Sequence, residues 1–259
     1  MTTRASGYFL PGDDWLHRRN PATKLLMFVA VLLAAFVLPP AILVVLLILV
    51  AVAAVTAGML GPLLRSLRIP AVLIASILIV NAFFLPGAPT VIASLGPVHL
   101  TAEGILFGLT TAGRVLVAFC ASILFLLTTL PDDLLEALVA RGASHRIAFV
   151  VLSAVQLVPQ LQHRAASILD AQQARGLSVQ GSLLKRIRAL VPLVGPILLG
   201  SLIDVRERTF ALEARAFGSG RPRTAYRIVP DPPADRIVRW LTLLAMLGIL
   251  AAAVLGLGR

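Results

Sequence analysis

The chain has 259 residues, of which 58% are hydrophobic and only 14% are charged, and its formal net charge is +11. Soluble domains carry about a quarter charged residues, so this composition excludes an ordinary soluble domain and predicts an all-α, polytopic membrane protein. A charge of +11 could indicate nucleic-acid binding in a soluble protein. Membrane topology explains the basic residues better, so we expect no nucleic-acid partner.

Five apolar stretches are long enough to cross a bilayer, which takes roughly 20 mostly apolar residues per helix. In chain order they are Pro21–Leu38, Pro40–Leu60, Ile69–Leu85, Gly104–Leu130 and Val238–Leu257. The first two could instead form one kinked helix, but that arrangement would place Arg65 and Arg68 outside the cell. Two spans joined at Pro39-Pro40 keep both arginines on the cytoplasmic side, where Lys and Arg collect. We therefore predict about five spans.

The basic residues also predict the topology of the chain in the cell membrane. Twenty-one of the 23 Lys and Arg residues fall on the side predicted to be cytoplasmic, and 15 of them lie in residues 131–239. This distribution places the N-terminus inside and the C-terminus outside. Within the basic block, Ile147–Val158 is short and Ala189–Ile203 is interrupted by Pro and Gly. We expect both stretches to be interfacial or packed beneath the bundle.

This topology predicts three parts. A membrane bundle covers residues 1–130, a cytoplasmic module of helices covers 131–235, and a C-terminal transmembrane helix covers 236–259.

Two predicted helices of the module, Gln160–Gly176 and Leu198–Phe217, end in nearly the same way. Their last residues are Ala174-Arg175-Gly176 and Ala214-Arg215-Ala216. Gly176 and Gly218 can take the left-handed conformation that closes a helix, which would leave one exposed arginine at each end. In the second helix, the three- and four-residue spacing of an apolar stripe predicts the side that packs on another helix. That stripe is Leu202, Val205, Thr209, Leu212 and Ala216.

Two interpretations of these helix ends stay open on local physics alone. Each arginine can dock onto a partner, with the small neighbouring alanine allowing close approach. Each can equally be an ordinary cation at the negative end of the helix dipole. A third copy of the tripeptide, Ala140-Arg141-Gly142, is interpreted as unrelated to docking.

Arg114 lies about three turns inside the fourth predicted span, where a bare charge is costly. It can contact a partner protein, or a polar group of the bundle such as Asn81 can hydrogen-bond to it.

No arrangement of residues suited to catalysis is found in the chain. Neither of its two lysines, Lys24 and Lys185, follows a glycine, so the sequence has no phosphate-binding P-loop. The four histidines lack the spacing of metal ligands, and we expect neither a metal site nor a cofactor. A membrane-embedded enzyme would need polar groups clustered at one depth. A stand-alone secondary transporter or channel would tend to show internal repeats and mid-membrane polar residues.

Several motifs along the chain resemble one family in their order and spacing. They are residues 17–26 (HRRNPATKLL), 81–84 (NAFF), 128–134 (TTLPDDL), 171–176 (AQQARG), 181–186 (GSLLKR) and 212–218 (LEARAFG). The chain is similar over nearly its whole length to the T component, the transmembrane coupling subunit, of energy-coupling factor (ECF) transporters. The second tripeptide departs from the family's Ala-Arg-Gly by ending in Ala216.

The resemblance implies a specific role. In that family the two motifs end crossed coupling helices, each docking onto one of two ABC-type ATPases that bind ATP and Mg²⁺. The T component also holds a small membrane S component that binds a vitamin or a metal ion. Carried onto this sequence, Arg175 and Arg215 are the docking cations. Ala174, Gly176, Ala214 and Ala216 flank them. Arg114 and Asn81 become candidate contacts to the S component or within the bundle.

Overall fold

The structure, a computed structural model, describes residues 10, 12, 14–84, 90–95, 98–177, 183–217 and 230–255. These residues form nine helices and one two-stranded antiparallel sheet. The elements in chain order are α1 (Pro21–Val37), α2 (Ala41–Thr56), α3 (Leu60–Ser66), α4 (Arg68–Phe84), β1 (Val91–Leu95), β2 (Val98–Thr101), α5 (Ala102–Thr128), α6 (Pro131–Val139), α7 (His145–Ala174), α8 (Leu183–Ala214) and α9 (Pro233–Val254).

The class of an all-α membrane protein is confirmed, and each predicted span corresponds to one helix. Among the described residues, α5 and α9 are long and apolar enough to cross a membrane. The pair α3 and α4, bent by 52°, adds a third span if it crosses as one. Helices α1 and α2 are apolar but have only 17 and 16 residues. They are separate helices around Pro39-Pro40, as predicted, while the number of five spans stays a prediction.

The sheet is a feature that the sequence analysis did not predict. Strands β1 and β2 pair Val91 with Thr101 and Leu95 with Val98, in the stretch between the third and fourth predicted spans. The second strand runs directly into α5, where the Thr101 hydroxyl accepts a hydrogen bond from the Gly104 amide over 3.2 Å. The hairpin therefore helps to define the first turn of the longest apolar helix.

Helix α5 is the centre of the bundle and packs against α1, α2 and α4. Phe28 of α1 stacks on Phe125 of α5 with ring centroids 5.3 Å apart. On the other side α4 approaches closely, because a Cβ added at Gly104 would overlap the Asn81 carbonyl. A Cβ added at Gly108 would lie 3.3 Å from the Asn81 Cβ. Small residues on α5 thus permit the tight contact with α4.

A polar cluster ties the start of α9 to the start of α1. Asp235 is fully buried and accepts hydrogen bonds from Arg19 Nη1 over 2.6 Å and from the Asn20 amide over 2.7 Å. Arg239 donates to both carboxylate oxygens of Asp231 and also to the Thr23 hydroxyl. Arg19 and Asn20 of the 17–26 motif are therefore structural, because they satisfy a buried carboxylate that would otherwise be costly.

The chain divides into two compact units: Met1–Leu138 with Val229–Arg259, and Val139–Ile228. The second unit consists mainly of α7 and α8. Both helices are longer than predicted, because the helical ends at Gln160–Gly176 and Leu198–Phe217 are the last parts of helices with 30 and 32 residues. Pro159 lies inside α7, and Pro192 and Pro196 lie inside α8. A proline removes its own hydrogen bond and bends a helix, but the helix can continue past it.

Candidate functional site

The first predicted tip, at the end of α7, is closed by a Schellman motif. The Gly176 amide donates to the Gln173 carbonyl over 2.9 Å, and the Leu177 amide donates to the Gln172 carbonyl over 3.0 Å. Gly176 has a φ of +94°, as its predicted role requires. This geometry places Arg175 at the C-cap, beside the carbonyl end of the helix dipole, where a cation gains about 0.3–1 kcal/mol.

The second tip, at the end of α8, repeats the same motif bond for bond. The Ala216 amide donates to the Glu213 carbonyl and the Phe217 amide to the Leu212 carbonyl, each over 2.9 Å. Here the left-handed residue is Ala216, with a φ of +55°. The predicted closing residue, Gly218, lies outside the described residues. Alanine in this conformation is strained relative to glycine, so the second tip holds the same shape at a higher energetic cost.

The two tips also present the same groups to solvent. Ala174, Arg175 and Gly176 are exposed, as are Ala214, Arg215 and Ala216. In the described part of the chain no salt bridge or side-chain hydrogen bond engages either arginine. The following residues, Leu177 and Phe217, are half-buried. Each tip thus presents an exposed guanidinium group, and the backbone conformation around the two arginines is equivalent.

Polar pairs hold the two helices together in an antiparallel arrangement. Arg208 Nη2 donates to Gln160 Oε1 over 2.7 Å, and Arg164 Nη2 lies 2.8 Å from Asp204 Oδ2. The ring of Phe217 packs on Phe149 with centroids 4.8 Å apart, which braces the α8 tip against α7. Residue numbers rise along α7 as they fall along α8, so the two tips lie on opposite sides of these contacts.

The prediction that the apolar stripe of α8 packs on another helix is wrong. Leu202 and Val205 of the apolar stripe are 67% and 61% exposed. Instead, the side that meets α7 carries Gly200, Asp204 and Arg208. Apolar spacing did not identify this side because its contacts are charged and polar. The available signal was the acid at 204, which lies between an arginine and a glycine each one turn away.

The remaining predicted site residues lie in the membrane bundle. Asn81 Nδ2, in the side chain, donates to the Ile77 carbonyl one turn earlier in α4 over 2.8 Å. The Nε atom of Arg114 is buried and has no hydrogen-bond partner in the structure. No hydrogen bond joins these two residues in the described chain. In the third tripeptide, Gly142 has a φ of +100° and Arg141 is exposed.

No group of three or more potential metal ligands occurs among the described residues. An apolar groove lies in the bundle, between α1, α2 and α5, and is lined by residues that include Phe28, Val31 and Phe125. It carries almost no polar surface, so the tips are the better candidate for a functional site.

Comparison with known proteins identifies relatives along most of the chain. The family model described as CbiQ, cobalt transport protein, matches residues 12–226. The energy-coupling factor transporter transmembrane protein EcfT of Heliobacterium modesticaldum is 32% identical over 232 residues, covering 85% of this chain and 86% of that protein. The EcfT protein of Thermosediminibacter oceani is 28% identical over 245 residues, covering 88% and 90% of the two chains.

A third relative differs in its length. The putative ABC transporter ATP-binding protein of Bifidobacterium longum is 29% identical over 252 residues, which cover 93% of this chain but 32% of that protein. The extent of the family match and the identity to the Heliobacterium protein are together sufficient to assign the family. The chain belongs to the CbiQ/EcfT family of transmembrane components of energy-coupling factor transporters.

Proposed function

We propose that this chain couples ATP hydrolysis by two partner ABC-type ATPases to the uptake of a vitamin or a metal ion through a small membrane S component. In this proposal the Arg175 tip docks onto one ATPase and the Arg215 tip onto the other. The observation that carries the proposal is the pair of equivalent Schellman motifs, each presenting an exposed arginine.

The chemistry of arginine suits this task. Its planar guanidinium group can donate two parallel hydrogen bonds to a carboxylate or to a pair of carbonyls, so it fixes orientation as well as position. Ala174 and Ala214 precede the arginines and add little bulk, which lets a partner surface approach the helix end. Two tips with one backbone geometry fit two partners of similar structure, as expected for a pair of related ATPases.

The Bifidobacterium longum relative supports partnership with an ATPase. That protein is named as an ABC transporter ATP-binding protein, and a segment similar to this chain makes up about a third of it. The sequence of this chain has no Gly-Lys pair, so ATP and Mg²⁺ are assigned to the partners and this chain is proposed to be non-catalytic.

The exposed apolar side of α8 supports a further apolar partner. Val191, Leu198 and Leu202 are each more than half exposed on this helix. An S component or the membrane surface would cover such groups favourably, at about 25 cal/mol for each Å² removed from water. The proposed topology keeps the N-terminus, α7 and α8 in the cytoplasm and the C-terminus outside, in accord with the distribution of basic residues.

The proposal is tested by counting the ATPases that co-purify with tagged chain from its native membrane. The variants are Arg175→Ala, Arg215→Ala and the double variant. Removing one partner of a desolvated interfacial charge pair costs about 2–5 kcal/mol, which is a factor of about thirty or more in the dissociation constant. We therefore expect each single variant to lose most of one ATPase and the double variant to lose both.

The chain offers a matched control for this experiment. Arg141 is an exposed arginine in the same Ala-Arg-Gly sequence, followed by a glycine with positive φ. Arg141→Ala should leave both ATPases attached. Undiminished recovery of both ATPases with the double variant would contradict the docking role. A wild-type chain that carries no ATPase at all would favour a stand-alone secondary transporter or channel.

A further inference from the structure

One ion pair lies midway between the two helix tips. Arg164 of α7 and Asp204 of α8 are 2.8 Å apart, with 29% and 24% of their side chains exposed. A Cβ added at Gly200 would lie 2.9 Å from Arg164 Nη1, so the absence of a side chain there gives room for the guanidinium group. The pair is therefore only partly exposed, and Gly200 is the residue of α8 that makes room for the guanidinium group beside Asp204.

From this pair, α7 and α8 each continue over the same length to their tips; these two segments, Arg164 to Arg175 and Asp204 to Arg215, are called the arms. Arg175 follows Arg164 by 11 residues, and Arg215 follows Asp204 by 11 residues. At a rise of 1.5 Å per residue each arm is about 16 Å long. Neither arm contains Pro or Gly before its cap, whereas Pro159, Pro192 and Pro196 all precede the pair. Between the pair and its tip, each helix is thus uninterrupted by Pro or Gly.

The charges around the pair also specify one register between the helices. Sliding α8 by one turn in one direction would bring Arg208 opposite Arg164, which sets two like charges together. Sliding it in the other direction would bring Gly200 there and leave the guanidinium without a carboxylate. A contact made only of apolar side chains would discriminate far less between these registers.

We propose that Arg164 and Asp204 are positioning residues that act as the fulcrum of the coupling helices. They fix the register of α7 on α8, so that a displacement of one tip by its ATPase is transmitted over equal arms to the other tip. This inference rests on the proposed function. It adds a role for two residues that touch neither ATPase in the docking scheme.

The test measures the distance between the two tips in the full-length chain in lipid nanodiscs. Spin labels are placed at Gln173→Cys and Glu213→Cys, on a Cys120→Ala background. Both labelled positions are exposed, and each lies nine residues beyond the ion pair. Pulsed dipolar spectroscopy then reports the distribution of distances, for which helical rise sets an axial component of at most about 27 Å.

Asp204→Asn removes one charge with little change of shape, and Arg164→Gln removes the other charge with a shorter, polar side chain. We expect either variant to add a second distance population, displaced by about 5.4 Å, which is one helical turn. Arg164→Lys and the exchanged pair Arg164→Asp with Asp204→Arg should restore a single population. Arg206→Gln is the control, because it removes an exposed arginine of α8 that lies over the Phe210 ring.

An unchanged distance distribution in both neutralised variants would overturn the fulcrum. The proposal would also be overturned if the distance distribution of the exchanged pair were as heterogeneous as those of the neutralised variants. That result would indicate a general packing defect, because exchanging the charges restores a specific ion pair but does not repair packing. ATPases that co-purify with the same preparations are counted separately. If the reference chain carries none, the proposed function fails, while the distance measurement still decides whether the ion pair sets the register.

Discussion

Exchanging Gly and Ala at the residues that close the two helix tips should change the local stability of the tips in opposite directions. Gly176→Ala should destabilise its tip, and Ala216→Gly should stabilise the other. Gly176 and Ala216 occupy the same position of the two Schellman motifs, with φ values of +94° and +55°. An L-residue with a side chain pays roughly 1–2 kcal/mol in the left-handed region. A Cβ at Gly176 would meet no atom within 4 Å, so Gly176→Ala isolates this backbone cost from any steric clash.

The expected magnitude follows from two opposing contributions. Adding a Cβ at Gly176 introduces the left-handed strain, but it also stiffens the unfolded chain, which returns about 0.4–1 kcal/mol. The net effect of Gly176→Ala is a destabilisation of about 1 kcal/mol at the α7 tip. Ala216→Gly should stabilise the α8 tip by a similar amount. Each change corresponds to about a fivefold shift in the local opening equilibrium.

Amide hydrogen exchange on the full chain in detergent measures this equilibrium at the two closing amides. We expect exchange at Leu177 to become about fivefold faster in Gly176→Ala and exchange at Phe217 to become about fivefold slower in Ala216→Gly. Gly195→Ala is the control, since Gly195 lies within α8 with no atom near its would-be Cβ. It should slow local exchange, as Ala does in a helix interior. If the exchange rates at Leu177 and Phe217 changed in the same direction in the two tip variants, the shared geometry would be refuted.

Two further predictions concern the stability of the membrane bundle, measured as thermal unfolding in detergent. Gly104→Ala forces a Cβ against the Asn81 carbonyl and should lower the free energy of unfolding by about 1–3 kcal/mol. Gly248→Ala is the control and should not lower it, because no atom lies near its would-be Cβ. Equal unfolding midpoints for the two variants would contradict the tight α4–α5 contact. Asp235→Asn removes the charge from a fully buried carboxylate with two short hydrogen bonds and should cost about 1.5–3 kcal/mol. The more exposed Asp231→Asn should cost less, and the reverse order would count against the polar cluster.

Apolar patterning and turn chemistry predicted most of the elements. Every predicted span became a helix, and Gly176 took the positive φ expected of a helix-closing glycine. These features depend on local composition, which a single sequence displays directly. The identity of the closing residue in α8 was missed because alanine seldom adopts a left-handed conformation.

The features that sequence reasoning missed depend on contacts between distant residues. The lengths of α7 and α8 were both underestimated, and α8 was shortened because Pro192 and Pro196 were taken to interrupt the helix, which continues past both. The α8 side that packs on α7 was missed because its contacts are an ion pair and a hydrogen bond, which leave no apolar stripe. The hairpin of β1 and β2 has strands of five and four residues, too short for a clear alternating pattern.

In the proposed function, this chain joins two ATPases to a substrate-binding membrane partner. The most direct test is to tag the wild-type chain, extract it gently from its native membrane and identify the co-purifying proteins by mass spectrometry. We expect two ABC-type ATPases and a small hydrophobic protein, whose identity would also indicate the transported substrate. Recovery of the chain alone, under conditions that preserve other ABC complexes, would mean that it does not couple ATPases to a membrane partner.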